Sequence, residues 1–234
     1  MQYSIIIPAY NEADILPACI EACQKQQGNF AYEIIVVDNN STDNTYKIAE
    51  DFGVKVIKEN IQGAGAARRA GTALAQGDFI INIDADTRLP EDFLVRINKI
   101  FLQDKKLVCL GARAMFYEVP KWKNFVLFIC YLFLYPMAFI VSLGRLGPMG
   151  CCMIFRKSDY IKTSGFLAKL KFGEDGALVR ELSKFGKVRL NFVLTCLISS
   201  RRFDHWDRGV KKYLINFLYL CFFGRPYFNE LTKT

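Results

Sequence analysis

A chain of 234 residues that is 52% hydrophobic is long enough to bury a substantial core, and it suits one large α/β domain or two small ones. Its net charge of +8 would suit a nucleic acid, a polyanionic substrate or an anionic membrane surface; the basic residues are scattered until the C-terminal third, and no zinc finger or basic zipper is present, which argues against nucleic-acid binding. Eight cysteines, mostly inside apolar runs and with no C-x-x-C pair, argue for buried free thiols in a reducing compartment, against a disulfide framework or a zinc site.

No Pro/Gly/Ser-rich linker, charge run or internal repeat divides the chain, so a single domain over 1–234 is expected. Met1-Gln2-Tyr3 leads straight into the apolar run SIIIP with no signal-peptide pattern, and a cytoplasmic location is expected. In chain order, YSIIIP (3–8), EIIVVD (33–38), VKVIKE (54–59), FIINID (79–84) and LVCLGAR (107–113) read as strands. Several are β-branched throughout, as strands covered on both faces should be. Between them the pattern predicts helices over roughly 13–26, 42–51, 64–76 and 90–103, with Gly53 and Gly77 just past two C-termini and Pro90 opening the fourth above Glu91 and Asp92. Alternation of this kind implies α/β architecture with a doubly wound, mainly parallel sheet.

Ligands of such sheets sit outside the carboxyl ends of the strands. The residues to read are therefore Pro8-Ala9-Tyr10-Asn11-Glu12, Asp38-Asn39-Asn40-Ser41 and Asp84-Ala85-Asp86, each rich in acid, amide or hydroxyl groups. Asp84 and Asp86 alternate on an extended backbone, so the chain must turn for both to reach one ligand. A D-x-D pair at a strand's end suits Mg²⁺ or Mn²⁺ that also holds phosphate oxygens; a solvated turn in which either aspartate caps the helix at Pro90 is the plainer alternative.

After residue 115 the character changes. Residues 125–143 carry no charge, which fits either a transmembrane span or, given Pro136 and its aromatic content, a buried or interfacial segment. A second apolar stretch, YLINFLYLCFF (213–223), is flanked by Arg208, Lys211, Lys212 and Arg225. It reads as a helix lying on an anionic bilayer, or as a C-terminal helix packed on the sheet.

IIIPAYNE at the first strand, IIVVDNNSTDNT at the second, GAGAARRAG at 63–71 and INIDADT at the fourth occur in the order and rough spacing of the inverting family 2 glycosyltransferases, and the chain resembles that family from residue 3 to about residue 206. The resemblance implies the GT-A fold, with 1–115 as the nucleotide-sugar-binding half, 116–206 as the acceptor half, and 207–234 as an amphipathic membrane-associating helix. It implies that Pro8, Ala9, Tyr10 and Glu12 hold the base and ribose, and that Asp38 accepts a hydrogen bond from a base ring N–H. Arg68 would approach the nucleotide, Asp84 the ribose, with Ala85 between them in the loop, and Asp86 would ligate Mg²⁺ or Mn²⁺ on the diphosphate. Arg69 departs from the pattern, which usually has Asn there.

The resemblance also carries FGEDGALVREL (172–182) onto the family's E-D motif, with Asp175 as general base and Glu174 beside it, on a helix ending near Gly186. A carboxylate at a helix N-terminus is equally explained as a partner of the helix dipole. His205, the chain's sole histidine, would complete the metal site as it does in some relatives, or sit as a surface residue. Arg201 and Arg202 would meet the diphosphate or an anionic acceptor. GAGAARRAG lacks the third glycine of a dinucleotide fingerprint, so Gly63 and Gly65 are expected to bring the backbone close beneath the nucleotide. The implied activity is metal-dependent transfer of a sugar from a UDP- or GDP-linked donor to a glycan, lipid-linked or other hydroxyl acceptor at the inner membrane face. A catalytically silent membrane scaffold and a sugar-1-phosphate nucleotidyltransferase are the rivals.

Overall fold

The computed structural model describes residues 2–126, 128–129, 132–133, 151–168, 170 and 173–201. Four of the expected strands form β1 (Gln2–Ala9), β2 (Ala31–Asp38), β3 (Lys55–Lys58) and β4 (Phe79–Ile83), all parallel and ordered β3-β2-β1-β4. The apolar runs within β1, β2 and β4 have a direct cause: Ile5, Ile7, Val36 and Ile81 face one core, while Ile6, Ile35, Val37 and Ile80 face another. Helices α1 (Leu16–Gln24) and α4 (Phe93–Gln103) cover the first face with Leu16, Cys19, Ile20, Phe93, Ile97 and Phe101. Helix α3 (Ala64–Leu74) lies over the second. Helix α2 (Thr45–Asp51) packs beside α1 and β3.

Three helices begin about three residues later than the apolar pattern predicts, because hydrogen-bonded turns precede them. Glu12 O accepts the Ile15 and Leu16 amides, Asp43 Oδ1 accepts the Thr45 amide at 3.0 Å, and Pro90 O accepts the Phe93 amide. Asp92, rather than Asp84 or Asp86, stands at the start of α4.

The remaining elements are β5 (Thr87–Arg88), β6 (Leu107–Phe116), β7 (Cys152–Arg156), α5 (Lys157–Tyr160), α6 (Glu174–Leu182) and β8 (Lys187–Ile198). They complete an eight-stranded sheet in the order β3-β2-β1-β4-β7-β6-β8-β5. Strands β5 and β7 run against the others, so the sheet is mixed and mainly parallel. Helix α6 adds Leu178, Val179 and Leu182 to the second core and stops before Gly186. That glycine is used elsewhere: a Cβ there would lie 2.5 Å from Lys106 O, where the chain turns into β8.

Cys19, Cys23, Cys109, Cys152 and Cys196 are buried, Cys151 is half-buried, and all six are free thiols. Cys130 and Cys221 lie outside the described residues, as do most of 125–143 and all of 213–223. Among the described residues no helix is long and apolar enough to cross a membrane.

Gly77 does not cap α3 as a left-handed residue; it lets the chain pass against β1. A Cβ there would stand 2.6 Å from both Ser4 N and Tyr3 C, and its amide donates to Ser4 Oγ at 2.8 Å. Backbone of a central strand cannot yield cheaply, so Gly77→Ala is expected to cost about 1–3 kcal/mol. In a chain of this size that is a Tm fall of roughly 2–12 °C by calorimetry, and an unchanged Tm would mean that β1 gives way.

Candidate functional site

The carboxyl ends of β1, β2 and β4 lie side by side because these strands are neighbours in the sheet. The first two loops are tied by backbone and side-chain hydrogen bonds. The Asn39 amide donates to Ala9 O at 2.8 Å, the Asn11 amide to Ser41 Oγ at 3.0 Å, and the Thr42 amide to Asn11 Oδ1 at 2.8 Å. Asn11 and Asn40 adopt positive φ (53° and 64°), a conformation asparagine tolerates well. Asp38 is buried, and its Oδ1 accepts the Ser41 amide at 3.3 Å. Ala9, opposite Asp38 on the neighbouring strand, is buried, and Pro8, Tyr10 and Glu12 are half-buried.

Asn39 is a structural residue that the motif reading missed. Its side chain donates to Glu59 O and Ile61 O and accepts the Gly63 amide, fixing the loop that leads from β3 into α3.

The turn that D-x-D chemistry requires is present: the Thr87 amide donates to Asp84 O at 3.0 Å, reversing the chain across Asp84-Ala85-Asp86. Asp86 is buried and Asp84 half-buried. Directly after this turn β5 pairs antiparallel with the end of β8, Thr87 opposite Ile198 and Arg88 opposite Leu197. The pairing brings Ser199, Ser200 and Arg201 to the rim, where the Arg201 guanidinium donates to Glu12 Oε2. Arg202 and His205 lie outside the described residues.

Arg68 lies inside the protein, 5% exposed, and does not stand at an open surface. Its Nη2 donates to Asp84 Oδ1 at 2.7 Å and its Nη1 to Glu174 Oε1, joining α3, the β4 loop and the start of α6. Gly65, one turn earlier, belongs to the same contact: a Cβ there would lie 3.2 Å from Glu174 Cγ and 3.0 Å from Leu167 O. The close approach that Gly65 permits is thus to Glu174 and Leu167. Asp175 is half-buried beside Glu174, with its Oδ1 accepting the Gly176 amide at 2.8 Å.

The electrostatics are dominated by acids. Burial works against the charge on Arg68, but Asp84, Glu174 and Asp175 more than restore it and raise its pKa. Burial raises the Glu174 pKa; Arg68 opposes that, while Asp175 and Asp84 reinforce it. The Cys19 thiol is raised by its hydrogen bond with Cys23 and by burial, and Cys151 by its bond with Cys196 and by burial, each with further contributions from Asp84 and Asp86. Asp84 and Asp86 supply oxygen donors, the kind a hard divalent cation such as Mg²⁺ or Mn²⁺ prefers, although among the described residues no group of three or more His, Cys, Asp or Glu stands together to hold one.

A family model described as glycosyl transferase family 2 matches residues 4–163. The chain is 37% identical over 105 residues to the undecaprenyl-phosphate 4-deoxy-4-formamido-L-arabinose transferase of Pseudomonas fluorescens, covering 40% of this chain and 30% of that protein. Its fold matches S. aureus TarS 1-349 in complex with UDP-GlcNAc at a TM-score of 0.70 and 19% identity, over 94% of this chain and 65% of the other. It also matches the mannosyltransferase PcManGT from Pyrobaculum calidifontis, in complex with GDP-Man and Mn²⁺, at 0.69 and 17% identity, over 92% and 62%. The stretches matched in the curated relatives span 19% to 40% of their lengths.

The raised pKa of Glu174 has a thermodynamic consequence. Folded Glu174 holds its proton more tightly than unfolded Glu174, whose ordinary value is 4.5. Between those two values the native state binds more protons, so this group's contribution to stability declines as pH rises. Glu174→Gln cannot ionise. Its Tm relative to the unmodified protein should therefore climb as pH is raised above about 4.5, followed by thermal unfolding across a pH series. A Tm difference that is flat in pH would remove the assignment.

Proposed function

Because this chain belongs to glycosyl transferase family 2, we propose that it moves a sugar from a nucleotide-diphosphate donor to an acceptor hydroxyl, with inversion at the anomeric carbon. The observation that carries this reading is the set of acids and arginines gathered at one sheet edge, with the β1 and β2 loops tied together and Asp84 joined through Arg68 to the E-D turn.

Pro8, Ala9, Tyr10 and Glu12 form the wall for base and ribose. Asp38, nearly desolvated, offers a carboxylate to a base ring N–H as a charge-assisted hydrogen bond. Uracil and guanine both present such a donor, so UDP- and GDP-linked sugars fit equally. Mg²⁺ or Mn²⁺ would be held by Asp86, with Asp84 and His205 as further ligands, and when bound it neutralises charge on the leaving diphosphate. Asp175 takes the proton of the acceptor hydroxyl as that oxygen attacks the anomeric carbon from the face opposite the diphosphate. The anomeric C–O bond breaks with its electron pair going to the diphosphate. Arg201 and Arg202 supply positive charge to that diphosphate or to an anionic acceptor.

A lipid-linked acceptor at an anionic membrane is favoured by a specific surface. Residues 121–126 are helical, and the Asn124 side chain fixes them to the end of β6 by accepting the Phe116 amide and donating to Phe116 O, each at 2.8 Å. Trp122 and Phe125, both 63% exposed, share one side of this turn with Val126, and Lys121 and Lys123 flank them. An aromatic face with basic flanks suits the headgroup region of an anionic bilayer. Were the acceptor a polyprenyl phosphate, its anion would attack without a base.

The rivals fare worse. Asp86 and the Glu174-Asp175 pair argue against a silent scaffold, and PAYNEAD is not the glycine- and arginine-rich loop of a sugar-1-phosphate nucleotidyltransferase.

In thermal unfolding against UDP, GDP, CDP and dTDP, one nucleotide should raise Tm only with Mn²⁺, and Asp86→Ala should abolish the rise. At about a hundred times the dissociation constant this is worth roughly 2.7 kcal/mol, or several degrees. No rise with any nucleotide removes the proposed donor site. Asp175→Asn should keep that nucleotide response and lose turnover by about 10²-fold or more if the acceptor is a hydroxyl; unchanged turnover would select the phosphate acceptor. Trp122→Ala/Phe125→Ala should no longer sediment with phosphatidylglycerol vesicles, and sedimentation equal to the unmodified protein would place membrane contact elsewhere.

A further inference from the structure

The buried Arg68 guanidinium has two anchored partners from distant parts of the chain, and their placement determines how Asp175 is presented. The fork reaches Asp84 Oδ1 with Nη2 and Glu174 Oε1 with Nη1, and the Arg68 and Glu174 side chains are 6% and 8% exposed. Gly65 clears the space in which the Glu174 stem lies against α3. Gly173, at φ 78°, is left-handed, which an L side chain resists, and it turns the chain into α6 so that Glu174 faces inward. Successive residues on a helix are set about 100° apart, so fixing Glu174 inward fixes Asp175 beside it, half-buried at the rim.

We propose that Arg68 is a positioning residue: by clamping Asp84 in the β4 loop to Glu174 at the start of α6, it holds Asp175 at a set distance from the bound donor. The assignment rests on the glycosyltransferase reading above. Arg68 does its work from inside the protein, through the two carboxylates, and Glu174 serves as its partner and not as a second base. A lysine could supply the charge but not the fork, since an ammonium is a point charge without planar bidentate geometry.

The test uses Arg68→Met, Arg68→Lys, Glu174→Gln and the double variant Arg68→Met/Glu174→Gln. Amide hydrogen exchange at 173–176 and 84–87 is followed without ligand. Release of nucleoside diphosphate is followed with the nucleotide sugar whose base raises Tm, and water as acceptor. Arg68→Met should speed exchange in both segments about tenfold and lower kcat by about 10- to 100-fold, with KM for the donor within about twofold, since loss of positioning acts on the chemical step. Arg68→Lys should recover part of kcat. The double variant should be no slower than Arg68→Met alone, because both changes break one interaction.

Should Arg68→Met fail to fold, Arg68→Lys and Glu174→Gln carry the same readouts, with kcat losses of about three- to tenfold. A rise in KM with kcat unchanged would overturn the proposal and make Arg68 a donor contact. Additive losses, or exchange unchanged at 173–176, would overturn it as well. An unmodified protein that neither responds to a nucleotide nor releases one would remove the glycosyltransferase reading instead, leaving the clamp to be decided by exchange alone.

Discussion

One positive charge placed inside the protein joins α3, the β4 loop and the start of α6 at the carboxyl edge of the sheet. A guanidinium taken out of water carries a penalty of several kcal/mol unless its donors are met, and removing one partner of such a buried pair is strongly destabilising. Two of the partners of Arg68 lie 16 and 106 residues away in sequence, so this one side chain ties α3, the β4 loop and α6 together. The small residues nearby follow from this. Gly65 leaves room for the Glu174 stem, and Gly71 allows α3 to lie on β1 and β2, where a Cβ would stand 2.5 Å from Ile6 Cγ2 and 2.9 Å from Val37 Cγ2.

The charge balance around that cation is deliberately uneven in its effect. Asp84, Glu174 and Asp175 all act on Arg68, and the influence of Asp84 and Asp86 extends to thiols on α1 and at the start of β7. Each buried carboxylate costs desolvation energy that its contacts must return, and Asp84 and Glu174 recover part of it from Arg68. Asp84 and Asp86 present oxygen, the donor atom that a hard cation prefers.

The strands were readable because a parallel strand buried on both faces is apolar along most of its length, as the runs III (5–7), IIVV (34–37) and FII (79–81) display. Helix starts were read about three residues early because Glu12, Asp43 and Pro90 form hydrogen-bonded turns whose composition resembles a first helical turn. The D-x-D loop and the E-D turn were visible as motifs. Their connection was not, since nothing local to GAGAARRAG signals a partner 106 residues on, and a basic residue in a glycine-rich stretch reads naturally as a ligand contact. Asn39 was passed over for a related reason: within DNNS each polar residue looks like loop, and only the backbone groups it reaches, Glu59 O and Ile61 O, single it out.

The two-residue strand β5 carries no recognisable sequence signal, yet it decides what stands at the rim. By pairing with Ile198 and Leu197 it draws the end of β8 past the Asp86 turn and brings Arg201 to Glu12. Arg201 and Arg68 have the same chemistry and opposite circumstances. The Arg201 side chain is 40% exposed and its partner Glu12 14%, so this pair stands between surface and interior. The Arg68 side chain is 6% exposed. Burial therefore separates two arginines of one sheet edge, one half-exposed beside Glu12 at the rim and the other enclosed between acids from two distant elements.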